Sequence, residues 1–230
     1  MPFSNVAQLI EVGYLLFYHF LRHLVHTVCR IYFRIEFHDV ERVPIRGPVI
    51  LAPNHASFLD PVWVSIPIGR RLRYMTWDKM FRVPLLGPLM RVFGAFPVKV
   101  EIGDRGAIRH SVEHLRAGGA LMIFPEGGRT RNGQLMGFKP GVIQLALTTG
   151  APIVPVTIIG GYRVYSPWHK FPRPLKLRLY YHEPIALTPP EDEAQMKAYL
   201  KEQAERLRSI VATRLPDAGV QLEAAHDEAR

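Results

Sequence analysis

In the stretch Asn54-His55-Ala56-Ser57-Phe58-Leu59-Asp60, a histidine and an aspartate stand with four residues between them, directly after the run Pro48-Val49-Ile50-Leu51-Ala52-Pro53. Imidazole titrates near neutrality, so such a ring can take a proton and return it. A carboxylate that accepts its Nδ1 proton fixes the tautomer, leaves Nε2 as a base and stabilises the imidazolium that forms. If a helix begins near Ser57 and the loop before it folds back, Asp60 reaches His55. A plainer reading has Ser57 or Asp60 capping that helix and His55 as a satisfied surface histidine.

A second polar interruption is Phe124-Pro125-Glu126-Gly127-Gly128-Arg129-Thr130. Gly127 and Gly128 let backbone approach a ligand closely, and Arg129 offers a fork of donors suited to phosphate. Glu126 can position Arg129 or the substrate. Taken alone, the stretch reads equally well as a flexible turn with solvated arginines. It lacks the Lys-Ser/Thr ending of a P-loop, and no strand-borne G-x-G-x-x-G is present, which disfavours those kinds of nucleotide binding. A third, less polar mark is Val154-Pro155-Val156-Thr157. All three sit at or near the carboxyl ends of apolar runs, where open α/β sheets place ligands.

The elements that must hold these groups alternate between two periodicities. Arg34–Val40 alternates apolar and polar as a strand does, and Val49–Ala52 is continuously apolar, as in a buried strand. Leu72–Thr76 and Ala95–Val100 read as strands, and Asp78–Phe93, broken by Pro84, Gly87 and Pro88, as short helical pieces. Gly103–Gly118 is a helix pattern stopped by Gly118 and Gly119. Ala120–Phe124 and Pro152–Ile159 are buried strands, with a short helix Gly141–Thr149 between them. Leu175–Tyr181 alternates like an edge or half-exposed strand. A long final helix is expected from a Thr188 cap through Pro189 and Pro190 to about Leu215. The pattern is that of a single α/β domain with a mixed, mostly parallel sheet flanked by helices.

From Val6 to Phe33 the chain is rich in Leu, Phe, Tyr and Val, yet carries Glu11, His19, Arg22, His23, His26 and Arg30. That is too many polar groups for a spanning helix. No basic region precedes the apolar stretch and no small-residue cleavage site follows it, which speaks against a secretory signal. The steps of three and four from His19 to Arg30 put a basic stripe on one helix face, the pattern of a helix lying in a membrane interface. A core helix of a soluble protein is the other reading, and a metal site at His19 and His23 a weaker third. The formal charge of +9 calls for an anionic partner: nucleic acid, an anionic membrane or a phosphorylated substrate. One cysteine, Cys29, rules out a disulfide within this chain and fits a reducing compartment.

Two motifs together identify a family. The sequence resembles the PlsC-type glycerophospholipid acyltransferases, the 1-acylglycerol-3-phosphate acyltransferases. Their N-H-x-S-x-x-D signature is matched by Asn54, His55, Ser57 and Asp60, and their F-P-E-G-T-R-S signature by Phe124, Pro125, Glu126, Gly127 and Arg129. A Gly-x-x-Pro-Val block at Gly94–Val98 and Val154-Pro155-Val156 agree, so the resemblance covers roughly residues 45 to 185. It departs at Gly128, where the family has threonine, and at Lys99-Val100, where an Asp-Arg pair often stands.

The resemblance implies His55 as the base that deprotonates the acceptor hydroxyl, with Asp60 orienting the ring. It implies substrate contacts from Asn54, Ser57, Lys99, Arg105, Glu126, Gly127, Gly128 and Arg129, and an oxyanion donor near the glycines. No metal, cofactor or covalent acyl-enzyme is required. The donor is acyl-CoA or acyl carrier protein, the acceptor lysophosphatidic acid, and the location the cytoplasmic face of a membrane. Residues 1–34 then form a membrane-associating helix, 35–215 the acyltransferase domain and 216–230 a disordered tail. Met80, Phe81, Leu85 and Leu86 are candidates for an acyl tunnel. Another lysolipid, an amino-lipid or a glycolipid is the alternative acceptor. Nucleic-acid binding is disfavoured, because the arginines are scattered rather than gathered on one face.

Overall fold

The apolar runs that read as buried strands assemble side by side. The computed structural model describes residues 3–82, 84, 86–98 and 105–216. Its strands are β1 (Glu36–His38), β2 (Val49–Pro53), β3 (Leu72–Trp77), β4 (Ala95–Val98), β5 (Ala120–Met122), β6 (Ile153–Ile159) and β7 (Arg178–Tyr181). They form a 7-stranded sheet in the order β1-β7-β6-β2-β5-β3-β4. The five strands from β6 to β4 in that order are parallel. β7 runs antiparallel to β6, and β1 runs parallel to β7.

The middle strand, β2, shows how one apolar run serves two cores. Successive side chains point to opposite faces of a sheet. Val49 and Leu51 therefore join Trp63, Met122, Val154 and Tyr181 on one side, while Ile50 and Ala52 join Leu121, Ile143, Ile153 and Leu207 on the other. Helices cover both faces: α1 (Phe3–Tyr32), α2 (Asp60–Ser65), α3 (Leu86–Val92), α4 (Arg105–Arg116), α5 (Gly141–Thr149), α6 (Gly161–Tyr165) and α7 (Met196–Ala212). A strand with no solvated face has no use for alternation, which is why β2 reads as a continuous apolar run.

Three expectations shift in detail. The strand expected at Ala120–Phe124 ends at Met122, which frees Ile123 and Phe124 for the loop that follows. β7 has both neighbours filled, by β1 and β6, and its alternation reflects a buried and a half-open face rather than an edge position. The last helix does not start at Thr188. Asp192 caps a 3-10 turn at Glu193–Gln195, its carboxylate accepting from Ala194 N at 2.9 Å, and that turn leads into α7 at Met196. The tail expected after Pro216 lies outside the described residues.

α1 has three faces. Tyr18, Cys29 and Phe33 are buried against the first core. Arg22 donates to the carbonyl of Ile68, and His26 packs on Phe37 with ring centroids 5.6 Å apart. The basic stripe is therefore split, because Arg22 and His26 turn inward while His19, His23 and Arg30 stay exposed. Opposite the core lie Phe17, Phe20, Leu24, Val28 and Ile31, spaced three and four apart and open to solvent, Ile31 at 75% exposure. Among the described residues, no helix is long and apolar enough to cross a membrane.

Phe33 seats the end of α1 by meeting the Trp63 ring edge-on at a centroid distance of 5.4 Å, and both are buried. Phe33→Ala should lower unfolding stability by about 3–4 kcal/mol, read as an earlier denaturant midpoint with the slope unchanged. An unaltered midpoint would mean that α1 is not part of the cooperative unit.

Candidate active site

The loop after β2 is built around one buried carboxylate. Asp60 is 0% exposed and opens α2, with Pro61 behind it. Its Oδ2 accepts from Ala56 N at 2.7 Å, from Ser57 N at 2.7 Å and from His55 Nδ1 at 2.9 Å. The carboxylate therefore reaches back to the preceding loop instead of capping its own helix. Ser57 Oγ accepts from Leu59 N at 3.1 Å and tightens the same turn. With Nδ1–H donated to Asp60, His55 Nε2 carries the lone pair, and no protein group engages it among the described residues.

Both ends of this loop are pinned to neighbouring strands. Asn54 is buried, and its amide pairs with the backbone of Ile158 in both directions, at 3.1 Å to the carbonyl and 2.7 Å from the N–H. Asn54 therefore ties the end of β2 to the end of β6 with its amide. His55 N donates to Glu126 Oε1 at 2.6 Å, and Thr130 N donates to His55 O at 2.9 Å. The Phe124 ring stacks under the imidazole at 3.8 Å between centroids. The two sequence motifs are thus one structure. His55 is only 16% exposed in its side chain, not a surface histidine.

Glu126 is buried and also accepts from Met136 N at 3.0 Å. Burial pushes its carboxyl up to about 7, against the partial opposition of the two N–H donors. Gly127 has φ 74°, so this position needs glycine for its conformation; a Cβ there would meet only the end of the flexible Lys139 side chain, which can give way. A Cβ at Gly128 would meet nothing within 4 Å, so packing does not require glycine there. Gly161 lets α6 close over the aspartate, since a Cβ there would lie 3.1 Å from Asp60 Oδ1.

Arg129 lies flat over the Phe58 ring, 3.4 Å from its centroid, and Phe58 is backed by Tyr165. The guanidinium is half-buried, with its pKa pulled down chiefly by that burial, and its Nη1 has no hydrogen-bond partner among the described residues. A stacked, partly desolvated cation with a buried, unpaired donor makes this position a candidate anion site. Sequence reasoning did not single out Phe58. Its only signal was an aromatic side chain inside the histidine motif. Lys99 lies outside the described residues, and Arg105 opens α4 with its side chain also outside them.

His55 and Arg129 both line a cavity of about 770 Å³ whose other walls are mainly apolar, among them Met75, Ile108, Val112, Met122 and Leu145. These side chains come from β3, α4, β5 and α5. Of the tunnel residues proposed from composition, Phe81 packs on the first core, and the side chains of Met80, Leu85 and Leu86 lie outside the described set.

An oriented imidazole at the carboxyl end of a parallel sheet, beside a spare guanidinium and an apolar cavity, defines an α/β protein equipped for general-base chemistry on an amphipathic ligand. A family model described as Acyltransferase matches residues 34–159, and the chain belongs to that family. It is 28% identical over 158 residues to a chloroplast 1-acyl-sn-glycerol-3-phosphate acyltransferase of Brassica napus, covering 64% of this chain and 45% of that one. A protein of the same name from Borreliella burgdorferi is 30% identical over 125 residues, covering 51% and 48%. The chain thus spans about half the length of the curated relatives it matches. The crystal structure of the 1-acyl-sn-glycerophosphate acyltransferase PlsC from Thermotoga maritima has the same fold, with TM-score 0.62 at 22% identity, covering 92% of this chain and 95% of that one.

Because the folded Glu126 holds its proton up to about 7 and the unfolded chain only to about 4.5, the unfolded state binds fewer protons between those values. Stability should therefore fall as pH rises from 4.5 to 7 and level off above, by no more than about 3 kcal/mol for this group. The check is the difference in denaturant midpoint between wild type and Glu126→Gln across that window; a difference independent of pH would remove Glu126 as the source.

Proposed function

We propose that this protein is an O-acyltransferase that moves a fatty acyl group from an acyl thioester to the free hydroxyl of lysophosphatidic acid, giving phosphatidic acid. The observation that carries the reading is the 2.9 Å contact between His55 Nδ1 and Asp60, with Nε2 unengaged at an apolar cavity that Arg129 also lines. The names of the similar proteins support the acceptor.

In this mechanism His55 Nε2 takes the proton of the acceptor hydroxyl as its oxygen attacks the thioester carbonyl carbon. The carbonyl π electrons move onto oxygen. Collapse of the tetrahedral species breaks the carbon–sulfur bond, the imidazolium returns its proton to the leaving thiolate, and Asp60 steadies the positive ring between the two transfers. Arg129, stacked on Phe58, takes the acceptor phosphate, and the apolar cavity takes a fatty chain. No metal or cofactor enters these steps; the donor, acyl-CoA or acyl carrier protein, is a co-substrate.

The exposed stripe from Phe17 to Ile31 would lie in a bilayer surface, with His19, His23 and Arg30 along its edge, holding the protein as a peripheral or monotopic enzyme on the cytoplasmic face. Basic groups near an anionic surface contribute about 1 kcal/mol each.

The test is thiol release from palmitoyl-CoA and from an acyl carrier protein thioester in lipid vesicles, with and without lysophosphatidic acid. Release should require the acceptor and fall by about 10²–10⁴ in His55→Ala, with the circular dichroism spectrum unchanged. Arg129→Gln should raise the KM for the acceptor about tenfold. Wild-type turnover in His55→Ala would sink the base assignment, and release with another lysolipid alone would move the acceptor. Phe20→Asp combined with Leu24→Asp should cut vesicle co-sedimentation at least about tenfold. Undiminished co-sedimentation would show that the stripe is not the contact.

A further inference from the structure

A second cleft meets His55 from the other side. β7 and β1 run against the rest of the sheet, so their first residues arrive at the edge where β6 and β2 finish. Ile159, the last residue of β6, pairs with Arg178, the first of β7, and Arg178 pairs in turn with Glu36. This register brings Arg34, Lys176 and Arg178 to the catalytic edge, and Arg163 joins them from α6. Together they line a cleft of about 410 Å³ whose wall includes His55 and Glu126.

The cleft is cationic by construction. Glu36 is shared by Lys176 Nζ at 2.5 Å and Arg178 Nε at 3.1 Å, so one carboxylate answers two cations. The other acid present, Glu126, is buried and already holds two backbone N–H groups. Arg34 sits at φ 47°, in the left-handed region that non-glycine residues rarely adopt. Its guanidinium is steadied by the carbonyl of Pro174 at 3.1 Å. Strain of this kind gathers where side-chain placement matters to function.

Charge also divides the site. Arg129 lines the apolar cavity and not this cleft, while His55 lines both. A thioester donor is divided in the same way: an apolar acyl chain leaves one side of the reacting carbonyl, and a polar carrier arm ending in phosphates leaves the other. With the carbonyl at His55 and the chain in the apolar cavity, the arm points toward the cations. We propose that the cleft binds the phosphate-bearing end of a coenzyme A-type thioester donor, with Arg34, Arg163, Lys176 and Arg178 as its anchors. The assignment rests on the acyl-transfer reading above and separates the donor phosphates from the acceptor phosphate at Arg129.

The experiment uses the full chain in neutral-detergent micelles, titrated calorimetrically with free coenzyme A, beside steady-state kinetics in vesicles. In the double variant Arg163→Gln/Lys176→Gln, coenzyme A binding should weaken about tenfold or more and the KM for acyl-CoA rise in step. The KM for lysophosphatidic acid and partition onto phosphatidylglycerol vesicles should change less than about twofold, since neither phosphate source uses this cleft. Unchanged coenzyme A affinity in the double variant overturns the proposal. So does a loss confined to the lysolipid KM or to vesicle partition, or a wild type that uses only carrier-protein thioester and does not bind coenzyme A. Acyl transfer with an unaffected donor KM removes the cleft assignment alone. Coenzyme A binding that depends on these residues, with no transfer to any lysolipid, removes the acyl-transfer reading and leaves the cleft standing.

Discussion

Burying a carboxylate is costly unless donors compensate it, and Asp60 draws its compensation through one oxygen, from the loop it must organise, while Oδ1 has no hydrogen-bond partner among the described residues. Its Oδ2 collects the backbone N–H groups of Ala56 and Ser57 together with the imidazole of His55. One set of contacts therefore folds the turn and orients the His55 ring with Nδ1 toward the carboxylate. Removing the carboxylate would leave backbone donors unpaired as well as the ring unoriented. For this reason structure and chemistry at Asp60 are not separable contributions.

The second loop carries the first on its back. Glu126 takes the N–H of His55, Thr130 donates to the His55 carbonyl, and Phe124 lies beneath the imidazole. Asn54 binds the end of β2 to the end of β6. The His55 loop is thus held by three neighbouring strands whose carboxyl ends meet, the arrangement that makes this edge of an α/β sheet a place for ligands. Rigidity here comes from backbone hydrogen bonds made by side chains, and it leaves His55 Nε2 unengaged and Arg129 Nη1 buried without a hydrogen-bond partner among the described residues.

Sheet polarity sorts the charge. The parallel strands bring the His55 and Arg129 loops to one edge, and the reversal of β7 and β1 brings Arg34, Lys176 and Arg178 to the same edge from the opposite direction. The apolar cavity lies between β3, β5, α4 and α5 on one side of His55, and the cations lie on the other. Under the acyl-transfer reading, an amphipathic substrate would be matched to these segments, with the histidine at the junction. The outer stripe of α1 repeats the theme at the surface, apolar along its centre and basic along one border.

Local pattern determined a good deal. The continuous apolar runs at Val49–Ala52 and Pro152–Ile159 marked buried parallel strands, because a strand covered on both faces has no polar positions to alternate. The motif around His55 and Asp60, and the loop from Glu126 to Arg129, were visible because their residue types and spacing are themselves the chemistry. Tertiary structure decided what spacing cannot encode. It turned Arg22 and His26 inward on a helix that periodicity alone had painted as one basic face, and it tied the Asn54 amide to β6. It also laid Phe58 beneath Arg129, 71 positions away in the chain. Arg34, Lys176 and Arg178 looked like scattered surface charge in the sequence. They gather beside His55 because strand order and strand direction arise from long-range pairing, which leaves no periodic trace in the residues that it brings together.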